Sequence, residues 1–333
     1  MTGPVTAPVL AVHDLRTVFD TDRGTARAVD GVSFEVAAGE AVGLVGESGC
    51  GKSVTALSLL RLIRPPGSIA PGSQIVFDGA DLMTLDAESL RRIRGDRIAM
   101  VFQEPMTALN PVYTVGDQVA EVLRVHGQPD DAWDRAVEML RLTGIPDPAV
   151  RARAYPHQLS GGMRQRVMIA MALVMHPALV IADEPTTALD VTVQAQILAL
   201  LADLRERFHT ALLLITHDLG VVAESTSRVI VMYAGEIVEA APVEPLFAAA
   251  HHPYTRGLLK AVPRLSDALD RRDRLADIPG SVPPATDWPT GCRFRARCAS
   301  AWERCATEHP PLYQIGPGHT SRCHLADDPG RRR

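Results

Sequence analysis

The chain has 333 residues, 46% hydrophobic and 22% charged, which excludes wholesale disorder and leaves room for two domains or one large α/β domain with an extension. Its 39 acidic residues outnumber 34 basic ones, and a net charge of −5 offers no basic field to nucleic acid. The longest purely apolar run, Val167 to Met175, falls far short of the ~18 residues that begin to suggest a membrane span, and the first eight residues lack the pattern of a secretory signal.

In chain order, residues 9–15 and 32–36 alternate apolar and polar, as half-buried antiparallel strands do. Ala41 to Val45 is continuously apolar and ends at Gly46, which predicts a buried parallel strand feeding a tight turn. A helix should follow Lys52, with Val54, Leu57, Leu60 and Ile63 on one face, until Pro65-Pro66 stops it. Ile98 to Phe102 reads as a strand, and residues 104–175 as mostly helical, with loops at Gly127-Gln128-Pro129 and around Pro146 and Pro148. Leu179 to Ala182 and Ala211 to Thr216 are further buried strands, separated by a helix from about Val193 to Phe208. Val229 to Tyr233 and Glu236 to Glu239 form a predicted hairpin around Ala234-Gly235. Such alternation predicts a parallel α/β core with an antiparallel flank. After about residue 245, Pro, Arg and Cys rise and apolar periodicity fades, which marks a separate C-terminal module with a disordered Arg331-Arg332-Arg333 tail. No internal repeat is evident, so one nucleotide-binding unit is expected and not a tandem pair.

Gly46-Glu47-Ser48-Gly49-Cys50-Gly51-Lys52-Ser53 fits the phosphate-loop pattern and sits after a predicted strand and before a predicted helix. The alternative is a glycine-rich turn that matches by chance, and the flanking elements weigh against it. In such a loop, glycines let backbone N–H groups curl around phosphate oxygens and the helix N-terminus adds its positive end. Lys52 then reaches the β- and γ-phosphates, and the Ser53 hydroxyl ligates Mg²⁺. Leu179 to Glu184 supplies the second strand: Asp183 can hold Mg²⁺ through its coordination shell, and Glu184 can accept a proton from attacking water. Ser160 is a good N-cap for a helix whose apolar positions are Val167, Ala170, Met171 and Val174, so Ser160-Gly161-Gly162 offers a second anion site, or an ordinary capped helix with a glycine hinge.

The whole string Leu159-Ser160-Gly161-Gly162-Met163-Arg164-Gln165 resembles the signature motif of ATP-binding cassette (ABC) ATPases, and the other cassette motifs follow in order. Gln103 matches the Q-loop, Ala188-Leu189-Asp190 the D-loop and His217 the switch histidine, while Phe19 is the aromatic assigned to adenine, with a core position as its other reading. The resemblance covers about residues 9 to 245. It implies an ABC-type P-loop ATPase with a RecA-like core, an antiparallel β subdomain and a helical subdomain within about 104–175. It further implies a head-to-tail dimer, in which Ser160, Gly161, Gly162, Gln165 and Asp190 serve ATP held by the other cassette. Within one chain, Ser53, Gln103 and Asp183 would surround Mg²⁺, Glu184 would orient water, and His217 would contact the γ-phosphate. Cys50 stands where a small residue is usual, as an inert substitute or an oxidation site near the phosphates.

Three further strings narrow the family. Gln103-Glu104-Pro105-Met106-Thr107-Ala108-Leu109-Asn110-Pro111, His252-Pro253-Tyr254-Thr255-Arg256-Gly257-Leu258-Leu259, and Gly280 to Pro283 with Pro289 to Cys298 resemble the oligopeptide/dipeptide importer ATPases. That implies a nucleotide-binding domain over 1–245 and an importer-type extension over 246–333. It also implies a second ATPase, a paralogue more readily than a copy, together with two transmembrane permeases and an extracytoplasmic peptide-binding protein, with no nucleic acid. The chain would lie peripherally on the cytoplasmic face of the membrane and energise peptide uptake. Import of another solute such as nickel or glutathione remains open, because solute choice belongs to the partners. A soluble ABC ATPase acting on DNA or ribosomes fits poorly: only 56 residues separate Gln103 from Ser160, and there is one phosphate loop.

Cys292, Cys298, Cys305 and Cys323 are separated by five, six and seventeen residues, unlike the close pairs of common zinc sites. Four gathered thiols still suggest a metal, since zinc and an iron–sulfur cluster both accept four sulfurs. Two disulfides or four unligated thiols are the alternatives, the first disfavoured by compartment. The family resemblance implies a 4Fe–4S cluster, with Arg293, Arg295, Arg297 and Arg304 either offsetting its charge or forming a solvated face.

Overall fold

The computed structural model describes residues 7–187, 189–261 and 278–331. Its strands and helices run β1 (Leu10–Thr21), β2 (Gly24–Val36), β3 (Ala41–Val45), α1 (Lys52–Leu59), β4 (Gly67–Ile69), β5 (Gln74–Phe77), β6 (Ala80–Asp81), α2 (Ala87–Ile93), β7 (Ile98–Val101) and α3 (Pro105–Ala108). Next come α4 (Val115–Val125), α5 (Ala132–Leu142), α6 (Pro148–Arg151), α7 (Gly161–Leu173), β8 (Leu179–Asp183), α8 (Val191–Phe208), β9 (Ala211–Thr216) and α9 (Leu219–Ser225). The last are β10 (Arg228–Tyr233), β11 (Glu236–Pro242), α10 (Val243–Ala249), α11 (Pro253–Ala261), α12 (Glu303–Thr307), β12 (Tyr313–Gly316) and β13 (His319–Ser321). Two compact units share the chain: Met1–Leu10, Val36–Ala41 and Phe77–Ile215 make the first, and Ala11–Glu35, Val42–Val76 and Thr216–Arg333 the second.

In the first unit, β7, β8 and β9 are parallel, with Ile98 opposite Leu179 and Leu179 opposite Ala211. Every residue of β8 and β9 is buried, as continuous apolar runs in a covered parallel sheet require. The predicted helical stretch resolves into α3 to α7, in which α4 and α5 pack together and against α7. Thr114 caps α4 by accepting from the Asp117 N–H at 3.2 Å, and Asp190 caps α8 by accepting from the Val193 N–H at 2.9 Å.

In the second unit, β3 pairs in parallel with β10, β10 antiparallel with β11, and β11 antiparallel with β13. Ala234 and Gly235 both have positive φ, 49° and 82°, which suits a two-residue hairpin turn. Strands β2, β1 and β5 follow one another in a second sheet, with β4 pairing antiparallel to β1. The core of this unit gathers Val45, Val229, Val231, Tyr233 and Val238 with Leu246, Tyr254 and Phe294.

Several expectations need correction. Helix α1 stops at Leu59 and buries Thr55, Ala56, Ser58 and Leu59, beside the expected Leu60, whereas Val54, Leu57 and Ile63 are only half-buried; the buried hydroxyls find internal partners. Thr17 and Ser58, for example, hydrogen-bond at 2.7 Å. Strands β1 and β2 run far beyond their predicted ends, through polar residues that the hairpin ladder satisfies. The segment after residue 245 is not a detached module: β13 extends the β10–β11 sheet, with Glu239 opposite Ser321. Arg331 lies in a short turn and bonds Asp328 at 3.0 Å, whereas Arg332 and Arg333 fall outside the described residues.

Candidate functional site

The Gly46–Ser53 loop leaves the end of β3 and enters α1. Two of its glycines are sterically required. A Cβ on Gly46 would lie 2.3 Å from the Met232 carbonyl oxygen, and one on Gly51 would lie 2.4 Å from that of Ala28. The β10–β11 turn supports the loop, with the Gly235 N–H donating to the Cys50 carbonyl at 3.0 Å. The Lys52 ammonium is buried at the loop's centre, donating to the Gly46 carbonyl at 2.7 Å and the Glu47 carbonyl at 3.0 Å. Ser48 and Gly49 are exposed, and Ser53 is half-buried. Cys50 is fully buried, and burial pushes its thiol up, which disfavours a reactive thiolate.

Phe19, in the same unit, sits opposite Gly67 in the β1–β4 ladder. A Cβ on Gly67 would approach its ring to 2.4 Å, so the ring lies against that backbone, half-buried. His217 is exposed, next to Asp218, which caps α9 by accepting from the Gly220 N–H at 2.8 Å.

In the first unit, Asp183 ends β8 at 5% exposure, and Glu184 follows with φ 46°, a left-handed conformation that is costly for a side-chain-bearing residue. Glu184 is held there: its N–H donates to the Ile215 carbonyl at 2.9 Å, and its carboxylate accepts from Gln103 at 3.0 Å and from the Thr187 hydroxyl at 2.8 Å. The structure therefore brings Gln103 and Glu184 together. Thr187 escaped the sequence analysis, although a hydroxyl three residues beyond a strand-end carboxylate is a usual turn partner.

The Ser160 hydroxyl accepts from the Met163 N–H at 3.4 Å, with Ser160 and Gly161 exposed at the start of α7. A Cβ on Gly162 would come within 2.8 Å of Val193, so this glycine lets α7 approach α8. Gln165 is instead carried into the interior, with its amide nitrogen buried and lacking a hydrogen-bond partner.

The four C-terminal cysteines line one small pocket in the second unit with His252, His324 and Phe294, and all are free thiols. Burial pushes Cys292 up to about 12 and Cys323 up to about 11. Among the described residues no group of three or more His, Cys, Asp or Glu side chains is arranged to hold a metal ion, so the expected four-sulfur ligand set is not preformed. The arginines need a plain correction. Arg293 is buried in an ion pair with Asp30, and Arg297 grips both Glu47 carboxylate oxygens at 2.6 and 2.9 Å. Neither forms a solvated face, and each is committed to a carboxylate; Arg304 sits at the surface between Glu308 and Asp327, while Arg295 is half-buried and lines the cysteine pocket.

No described helix is long and apolar enough to cross a membrane. The sequence pattern of the ABC transporter family matches residues 29–187, and that of the oligopeptide/dipeptide transporter C-terminal region matches residues 238–305. The chain is 52% identical over 322 residues to a probable peptide ABC transporter ATP-binding protein, y4tR, of Sinorhizobium fredii, covering 96% of both chains. It is 48% identical to the dipeptide transport ATP-binding protein DppD of Escherichia coli and to the oligopeptide transport ATP-binding protein AppD of Bacillus subtilis, in each case covering 97% of this chain and 98% of the relative. Among solved structures, the dimeric ATP-binding cassette MJ0796 bound to ADP and Pi superposes with a TM-score of 0.63 at 28% identity, over 70% of this chain and 98% of that one.

Proposed function

The chain belongs to the ABC transporter family, in the branch that carries the oligopeptide/dipeptide transporter C-terminal region, and from that premise we propose that it is the ATP-hydrolysing subunit of a membrane importer for di- or oligopeptides. The end-to-end likeness to peptide-transport ATP-binding proteins supports this reading most directly.

Lys52 and the loop N–H groups bind phosphate; Ser53, Gln103 and Asp183 are the residues that would hold Mg²⁺, which would supply positive charge to the phosphates. Glu184 takes a proton from water, Gln103 holds its carboxylate, and His217 contacts the γ-phosphate. Ser160 to Gly162 and Asp190 serve a nucleotide on a partner cassette, so one chain carries two half-sites. A paralogous ATPase, two permeases and an extracytoplasmic binding protein complete the machine, with this chain peripheral on the cytoplasmic side. Residues 1–245 form the nucleotide-binding domain and 246–333 the extension.

The pocket of Cys292, Cys298, Cys305 and Cys323 is the proposed site of a 4Fe–4S cluster, with zinc as the alternative. Its support is the donor chemistry: four soft thiols converge on one pocket. When bound, the metal would tie together the chain around Cys292 to Cys323, where regular secondary structure is short.

Reconstitution tests the main reading. The chain, its neighbouring-gene ATPase, permeases and binding protein in proteoliposomes should take up peptide in an ATP-dependent way. Uptake of nickel or glutathione with no peptide uptake would reassign the substrate.

A further inference from the structure

We infer that Arg297 and Tyr254, both on the C-terminal extension, are positioning residues for the phosphate loop, which they reach through Glu47. The inference rests on the reading that this loop binds ATP, and concerns contacts within the second unit alone.

Glu47 opens the loop after Gly46, and it is held at both backbone and side chain. Its N–H donates to the Tyr254 hydroxyl at 2.8 Å, and its carboxylate takes a two-pronged bond from Arg297. Its carbonyl in turn accepts from the Lys52 ammonium at 3.0 Å. Arg297, Glu47 and Lys52 therefore form a continuous chain of charge-assisted contacts from the extension to the phosphate-binding cation.

The Arg297 guanidinium spends its Nε and both Nη groups on partners within the second unit. Its other contacts are the carbonyls of Ile278 at 3.1 Å and Pro279 at 2.8 Å, its guanidinium lies 5.7 Å from the Tyr233 ring and 5.9 Å from that of Phe294, and its side chain is 5% exposed. Tyr254 is fully buried against Tyr233 and Phe294. Both anchors are thus fixed by packing of the extension against Tyr233 of β10. A loop rich in glycine loses much conformational freedom when it closes on phosphate, and fixing its first turn in advance lowers that cost. Glu47 is accordingly a handle on the loop, and its carboxylate faces Arg297.

The test is equilibrium binding of Mg-ATP to the full-length chain, with melting temperature measured alongside. Arg297→Ala should weaken ATP binding about tenfold, and Arg297→Lys should restore little, since an ammonium cannot make the two-pronged contact. Tyr254→Phe should weaken it by a smaller factor. In a Glu47→Gln background, Arg297→Ala should cost little more, because the two residues act as one unit. In the assembled transporter, Arg297→Ala should raise KM for ATP and leave kcat at saturating ATP near that of the parent. Unchanged ATP affinity in Arg297→Ala, with or without a lower melting temperature, overturns the positioning role. An undiminished effect in the Glu47→Gln background overturns the route through Glu47. Lys52→Ala is the control: if it binds ATP like the parent, the ATP-site reading itself fails, a result distinct from either of the others.

Discussion

The Gln103 side-chain amide donates to the Glu184 carboxylate at 3.0 Å, which ties the Q-loop directly to the residue proposed to activate water. Glu184 is also bonded by Thr187 and constrained at a positive φ, so its carboxylate is held in one orientation. Glu184→Gln should leave ATP affinity intact, lower turnover by about a hundredfold or more, and trap an ATP-bound dimer visible by size exclusion. Thr187→Val should reduce turnover by a smaller factor at unchanged ATP affinity. Full hydrolysis by the Glu184→Gln complex would remove Glu184 from the role of base.

Lys52 is expected to behave differently. Its ammonium is buried among loop carbonyls, so Lys52→Ala removes the one side-chain cation at the loop's centre and should abolish productive nucleotide binding. Fluorescent ATP-analogue titration checks this.

Ser160 and Gly161 are exposed at the start of α7, where their N–H groups and hydroxyl can meet a nucleotide on another cassette. The purified chain alone should therefore hydrolyse ATP slowly and speed up when the proposed partner ATPase and permeases are added. A chain that stays monomeric with ATP and is fully active would sink the two-half-site scheme.

The cysteine pocket makes a compositional prediction. Anaerobically purified protein should be brown, with iron and acid-labile sulfide near four each per chain if one cluster is bound. Stoichiometric zinc without iron would leave a structural zinc site. Replacing a cysteine by serine should loosen residues 280–325 and, because Arg297 adjoins Cys298 and grips Glu47, should also weaken ATP binding.

Glu239 is fully buried on β11, where it accepts from His319 at 2.7 Å and from the N–H groups of His251 and His252 at 2.6 and 2.9 Å. Burial pushes its carboxyl up, yet these donors outweigh burial and hold it below the usual carboxylate range. A depressed folded value means that the unfolded state binds the proton more readily. The stabilisation is therefore present above the ordinary glutamate range and is lost as pH falls through the folded value. Acid unfolding of the parent should accordingly show a steep limb below about pH 4.5 that flattens in Glu239→Gln. Glu239→Ala, which strands three buried donors, should cost about 3 kcal/mol or more at neutral pH, read from denaturant melts.

Sequence alone determined the phosphate loop, the strand ending in Asp183-Glu184, the Ser160 cap and the hairpin at Ala234-Gly235. Each of these is written in a short stretch of chain: glycines where a backbone must turn or close in, a continuous apolar run where a strand is covered on both faces, a hydroxyl where a helix opens. What sequence could not disclose depends on residues far apart in the chain. The face of α1 that turns inward is set by partners such as Thr17, and the extent of β1 and β2 by the ladder between them. Arg297 read either as offsetting a cluster's charge or as part of a solvated face, and only the tertiary structure set it against Glu47, 250 positions earlier. The identity of a charge is local information, but its solvation is not: whether a guanidinium meets water or a buried carboxylate is decided by what the folded chain packs around it.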